Sequence, residues 1–72
     1  MSIDRAFEPF ANDTQVMTFT DGEGELSIEN GTDTVLLAGE LEFGADHDGL
    51  ARVQALREAL AVIEAAIRAR CR

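Results

Sequence analysis

The fold of this chain is decided by residues 16–43, VMTFTDGEGELSIENGTDTVLLAGELEF. Apolar and polar residues alternate over 16–20 and 25–29, which is the period of half-buried β-strands. Over 34–43 the same period places Val35, Leu37, Leu41 and Phe43 on one face, which we predict to be the inward face. Glycine-containing segments at 21–24 and 30–33 separate these three stretches, and Asn30-Gly31 in the second is a strong hairpin signal. We therefore predict a three-stranded antiparallel meander.

The two turns also predict the register of the strands. Each inward side chain should face another inward side chain, as selection of a register requires. The predicted pairs are Phe19 with Leu26, Met17 with Ile28, Ile28 with Val35, and Leu26 with Leu37. Gly39 then marks a bulge or a close approach by another backbone.

The C-terminal part of the chain predicts one long helix from about residue 47 to 70. Asp46 or Asp48 is suited to be its N-cap. An apolar stripe at three- and four-residue steps should face the sheet, and it consists of Leu50, Val53, Leu56, Leu60, Ile63 and Ile67. The predicted fold class is therefore α+β, a three-stranded antiparallel meander packed on one long C-terminal helix (βββα). The single domain spans residues 16–72, and residues 1–15 form an N-terminal arm whose order the sequence leaves open, with Phe7 and Phe10 closing an edge of the core.

A second set of small apolar residues lies away from this stripe. It consists of Ala51, Ala55, Val62, Ala65 and Ala69. The simpler interpretation is that alanine favours helix, and the alternative is a close helix–helix contact in a dimer.

Charge is unevenly distributed along the chain. The formal net charge is −8, with residues 1–48 at −11 and residues 49–72 at +3. Such an acidic sheet region repels nucleic-acid phosphates and attracts basic proteins. The predicted partner-binding residues are Asp21, Glu23, Glu25, Glu29, Asp33, Glu40 and Glu42.

Several function classes are not supported by the sequence. The start of the chain lacks the features of a secretory signal, no apolar run is long enough for a membrane span, and the single Cys71 suits a reducing compartment. We therefore expect a cytoplasmic location, no membrane association, no direct binding of nucleic acid and no cofactor.

Asp46-His47-Asp48 is the one cluster with the chemistry of metal ligands. Helix capping explains its two aspartates, and the spacing of later residues does not fit a calcium loop. Cys71 is far in sequence from the lone His47, so no nucleophile and base are paired. We predict no metal site and no enzymatic activity.

The stretch from Gly22 to about Arg68, with ELSIENGTD at 25–33 as its most recognisable run, resembles small hypothetical proteins encoded in bacterial and phage genomes. This resemblance implies no activity and no functional residues. By size and acidity alone, the chain is also similar to phage-encoded inhibitors of host defence, including anti-CRISPR proteins and other DNA mimics.

Two hypotheses of function follow. The first is a non-catalytic acidic domain that binds a protein with a basic surface, such as a phage or mobile-element inhibitor that occupies a nucleic-acid-binding surface. The alternative is a structural homodimer or assembly subunit that associates through the helix.

Overall fold

Three strands and one helix follow each other in the order that the sequence predicts. The computed structural model describes residues 7–20 and 24–71. The strands are β1 (Val16–Thr20), β2 (Glu25–Glu29) and β3 (Leu36–Gly39), and the helix is α1 (His47–Arg70). The strands form one antiparallel sheet in the order β1-β2-β3. The predicted α+β meander with a C-terminal helix is thus confirmed.

The register between β1 and β2 agrees with the prediction. Met17 pairs with Ile28, and Phe19 pairs with Leu26. Met17, Phe19 and Ile28 are buried, because alternate side chains of a strand point to the same face. These residues form the sheet side of the core.

The predicted register between β2 and β3 is wrong by two residues. Ile28 pairs with Leu37, and Leu26 pairs with Gly39. The connection is longer than a tight Asn-Gly turn, which needs positive φ at both central residues. Among the described residues, positive φ occurs at Phe10 and Gly39 and not at Asn30 or Gly31. A shift of two keeps every side chain on its predicted face.

The side chain of Asn30 explains the longer connection. Asn30 is buried, and its Oδ1 accepts a hydrogen bond from the Phe10 backbone N–H at 2.9 Å. Its Nδ2 donates to the Glu8 carbonyl oxygen at 2.8 Å. Asn30 therefore attaches the segment before β1 to the end of β2 instead of forming a turn. Phe7, in the same segment, is buried in the core.

Strand β3 ends earlier than the predicted 34–43 because of Gly39. Its φ of 114° lies in the region that favours glycine, and a Cβ there would stand 2.0 Å from the Glu25 carbonyl oxygen. The predicted close approach is thus confirmed. Beyond Gly39, Leu41 is half-buried against the core whereas Phe43 is exposed, so the predicted inward position of Phe43 is wrong. All four residues of β3 are exposed, Leu37 included.

Helix α1 begins at a well-formed cap. Asp46 is the N-cap, and its Oδ1 accepts a hydrogen bond from the Gly49 N–H at 2.8 Å. Gly49 is buried where the helix passes the Gly44 carbonyl oxygen, and a Cβ there would come within 1.9 Å of that oxygen. Glycine at 49 therefore lets the first turn of the helix lie directly on the preceding loop.

The face of α1 that meets the sheet differs from the predicted stripe. Ala55, Ala59 and Ile63 are its buried side chains that join the core, and Leu56 is half-buried against them. Four members of the predicted stripe are instead exposed, namely Leu50, Val53, Leu60 and Ile67. The physical reason is space: Phe7, Met17, Phe19 and Ile28 fill the core from the sheet side, and small alanine side chains let the helix backbone approach them.

Candidate binding surfaces

The predicted acidic residues lie at the two ends of the sheet. Glu25 and Glu29 are the first and last residues of β2, Asp33 lies in the connection to β3, and Glu40 and Glu42 follow β3. All five are exposed, whereas Asp21 and Glu23 lie outside the described residues. The Glu40 N–H donates to the Glu25 carbonyl oxygen at 3.1 Å, so the backbones of these two acidic residues are adjacent.

The side of the sheet that faces away from α1 is called the outer sheet face. It carries Val16, Thr18, Thr20, Glu25, Ser27, Glu29, Leu36 and Ala38. One row across it joins Val16, Glu29 and Leu36, and the next joins Thr18, Ser27 and Ala38. Glu25 and Glu29 are four residues apart on one strand, about 13 Å. The outer sheet face therefore has a small, weakly polar centre between acidic ends.

The strands and the segments that connect them are acidic in sequence. The sequence has no lysine or arginine between Arg5 and Arg52, so all three strands and their connections lack a basic side chain. The arginines of the described residues, 52, 57, 68 and 70, all lie on α1, on the other side of the sheet. The fold thus separates an acidic sheet from a helix that carries the basic residues.

A second surface runs along α1 and is called the apolar groove. It is formed by Phe43 from the loop and by Leu50, Val53, Leu56 and Leu60 from the helix. All but Leu56 are more than 40% exposed. Arg57 and Glu64 lie at its rim. The sequence contained the signal for it, since these helical residues belong to the predicted stripe, but that stripe was assigned to the core.

A smaller depression lies at the C-terminal end of the helix. It is lined by Val35, Ile63 and Ile67, with Asp33 and Arg70 at its edge. The Arg70 guanidinium lies over the Phe10 ring, 4.9 Å from its centroid, and donates to the Phe10 carbonyl oxygen at 3.4 Å. Arg70 thus connects the end of the helix to the N-terminal segment.

The second set of small apolar residues on the helix, called the alanine set, has both buried and exposed members. Ala55 is buried against the sheet, so it does not take part in a helix–helix contact. Ala51, Val62, Ala65 and Ala69 are exposed on the helix, away from the apolar groove. The alternative of a helix–helix contact therefore loses Ala55, which belongs to the core, and for the other four residues it stays a prediction.

The residues with potential for catalysis do not come together. His47 is the exposed first residue of α1, and Cys71 is exposed at the opposite end, where its N–H donates to the Ile67 carbonyl oxygen at 2.8 Å. Across residues 7–20 and 24–71, no three His, Cys, Asp or Glu side chains are placed to hold a metal ion. Asp46 has the capping role that the sequence favoured for it.

Comparisons with protein-family models, with curated proteins and with solved structures found no match. The resemblance to small bacterial and phage hypothetical proteins therefore stays a prediction. In the described part of the chain, no helix combines the length and apolar character that crossing a bilayer requires.

Proposed function

We propose that this protein is a non-catalytic binding domain whose outer sheet face, with its acidic ends, docks on a basic protein surface. One observation carries the proposal: Glu25, Glu29, Asp33, Glu40 and Glu42 are all exposed, and residues 6–51 of the sequence contain no lysine or arginine. A cationic surface would be attracted to this region from a distance, which speeds encounter and makes affinity depend on salt.

The layout of the outer sheet face supports a contact with a protein. Its middle row offers two hydroxyl groups, from Thr18 and Ser27, and in the next row two exposed apolar side chains, Val16 and Leu36, flank Glu29. Protein interfaces combine apolar contacts with polar and charged groups, and this face offers both. A partner whose basic surface normally binds nucleic acid would be blocked by this contact, which is the inhibitor mechanism considered from the sequence.

The test compares two triple variants of equal net charge. Glu25→Gln/Glu29→Gln/Glu40→Gln removes three charges from the sheet, and Glu8→Gln/Asp13→Asn/Glu58→Gln removes three exposed charges elsewhere. Wild type and both variants are immobilised, proteins retained from a host lysate are identified at low and at high salt, and duplex DNA is added as a competitor.

The proposal predicts a basic protein that the wild type and the second variant retain and that the first variant loses. Retention should fall at high salt because exposed charges are screened, and DNA should displace the partner if the inhibitor mechanism holds. A partner indifferent to salt, or lost equally from both variants, contradicts the proposal.

The alternative hypothesis, assembly through the helix, is favoured by a separate observation, the exposed apolar groove. It concerns the opposite side of the domain and is compatible with binding at the outer sheet face.

A further inference from the structure

The apolar groove exposes large side chains that a 72-residue domain has reason to cover. Phe43, Leu50, Val53 and Leu60 remain between 42% and 53% exposed, although they lie beside one another. Meanwhile, the largest fully buried side chains of the described residues are Phe19 and Ile28 alone. Domains of this size bury a smaller fraction of their surface than larger domains do, and association is one of the ways in which they gain stability.

Two oppositely charged residues, Arg57 and Glu64, lie on either side of Leu60 along the groove. Arg57 and Glu64 are seven residues, or about two helical turns, apart, with Leu60 between them. Glu64 makes an exposed ion pair with Arg68 at 3.0 Å. Arg57 has no ion pair with any residue of 7–20 or 24–71. One unmatched cation and one anion therefore flank the middle of the groove.

We propose that the apolar groove binds the same groove of a second copy, with the two α1 helices antiparallel about a two-fold axis beside Leu60. In that arrangement Arg57 of each copy approaches Glu64 of the other, which gives two equivalent ion pairs around an apolar centre. A parallel arrangement would place Arg57 against Arg57 and Glu64 against Glu64. The positions of Arg57 and Glu64 therefore favour a second copy as the molecule bound in the groove and an antiparallel arrangement of the two helices.

This surface is independent of the outer sheet face. The helix covers the inner side of the sheet, so pairing through α1 leaves both outer sheet faces exposed. The dimer would present two acidic surfaces at once, and a partner with repeated basic sites would bind it more tightly than it binds one copy. Failure of either proposal does not decide the other, because one is tested by self-association and the other by salt-sensitive capture.

The first test compares two exposed apolar residues of nearly equal exposure. Leu60, 43% exposed, lies in the groove, and Val62, 41% exposed, lies on another side of the helix. Sedimentation equilibrium of the full chain from micromolar to millimolar concentration should show a dimer for wild type and Val62→Glu. Leu60→Glu should weaken dimerisation about a hundredfold or more, because it buries a charge at the centre. Circular dichroism checks that each variant is folded.

The second test exchanges the rim charges and does not alter the apolar centre. Arg57→Glu alone or Glu64→Arg alone should each weaken the dimer about tenfold, since both symmetric pairs become repulsive. Arg57→Glu/Glu64→Arg together should restore it, because the pairs are opposite in charge again. In a parallel dimer like charges would face each other in the wild type and in all three variants, so neither single variant would weaken it and the double variant would restore nothing.

Oxidation of Cys71 distinguishes the two directions further. Cys71 lies about ten residues from the proposed axis, which separates the two thiols by roughly 30 Å in the antiparallel dimer. A disulfide needs Cα atoms within about 7 Å, so oxidation should leave wild type without a covalent dimer. The proposal is overturned by a monomer at millimolar concentration, by a dimer unaffected by Leu60→Glu, or by ready cross-linking through Cys71.

Discussion

Ala59 and Leu60 follow one another on helix α1 and have opposite environments. The smaller residue, Ala59, is 1% exposed and lies in the core, whereas Leu60 is 43% exposed and lines the apolar groove. Adjacent helical residues point about 100° apart, and α1 is turned so that Ala59 faces the sheet and Leu60 faces away from it. This relationship sets the orientation of the helix and creates the groove.

Substitution at Ala59 should show how closely the helix lies on the sheet. Ala59→Leu adds a bulky side chain to a filled core, and we expect it to lower the free energy of unfolding by about 1–3 kcal/mol. Ala65→Leu places the same side chain on an exposed part of the helix and should change that free energy by less than about 0.5 kcal/mol. Urea denaturation measures both, and equal effects would contradict the described orientation.

Asn30 should contribute more to stability than a turn residue would. Asn30→Ala removes the hydrogen bonds of a buried side chain to the Phe10 N–H and the Glu8 carbonyl oxygen and leaves these two part-buried backbone groups without that partner. We expect a loss of about 1–3 kcal/mol in the free energy of unfolding. Thr32→Ala, at an exposed position of the same connection, is the matched control and should be within about 0.5 kcal/mol of wild type. If Asn30→Ala lowers the free energy of unfolding no more than Thr32→Ala does, the result would favour the hairpin turn predicted from the sequence.

Gly39 should be intolerant of any side chain. Gly39→Ala places a Cβ against the Glu25 carbonyl oxygen at a φ of 114°, so we expect a loss of about 2 kcal/mol or more. Ala38→Ser, at the exposed neighbouring position in β3, should cost less than about 0.5 kcal/mol. Thermal unfolding of both variants provides the comparison, and a stable Gly39→Ala protein would show that this backbone approach does not form.

The parts of the fold that were predicted correctly depend on local patterns. In the β1–β2 pair, β2 alternates strictly and β1 alternates from Met17 to Thr20, and a slip by one residue would expose buried residues of this pair, so the sequence determines its register. Likewise, the helix start follows from Asp46, whose capping bond reaches only three residues along the chain.

The parts that were wrong depend on distant contacts. Asn30 is typical of a turn, but its partners Phe10 and Glu8 lie 20 and 22 residues away, and nothing in the local pattern indicates them. The predicted orientation of α1 was wrong for a different reason. The face that meets the core combines Ala55 and Ala59 with Ile63 of the predicted stripe, and periodicity alone does not indicate that alanines replace leucines where Phe7, Met17 and Phe19 already fill the core.

The positions of the acidic residues could be predicted from the sequence only in part. Their exposure follows from strand parity for Glu25 and Glu29, which the sequence predicts directly. The grouping of Glu40 with Glu25 depends on the close approach at Gly39, which only the fold reveals. Their role in binding a partner stays a prediction.

The orientation of α1 determines which of its residues face the core and which line the apolar groove. It can be tested directly by the reactivity of single cysteines placed at position 59 or at position 60. Exposed Cys71 is first replaced by Ser, and Ala59→Cys and Leu60→Cys are then made separately in that background and labelled at dilute, monomeric concentration. We expect the thiol at position 59 to react about a hundredfold more slowly than the thiol at 60, since its labelling requires local opening of the core. Equal rates, or faster reaction at 59, would contradict this orientation of α1.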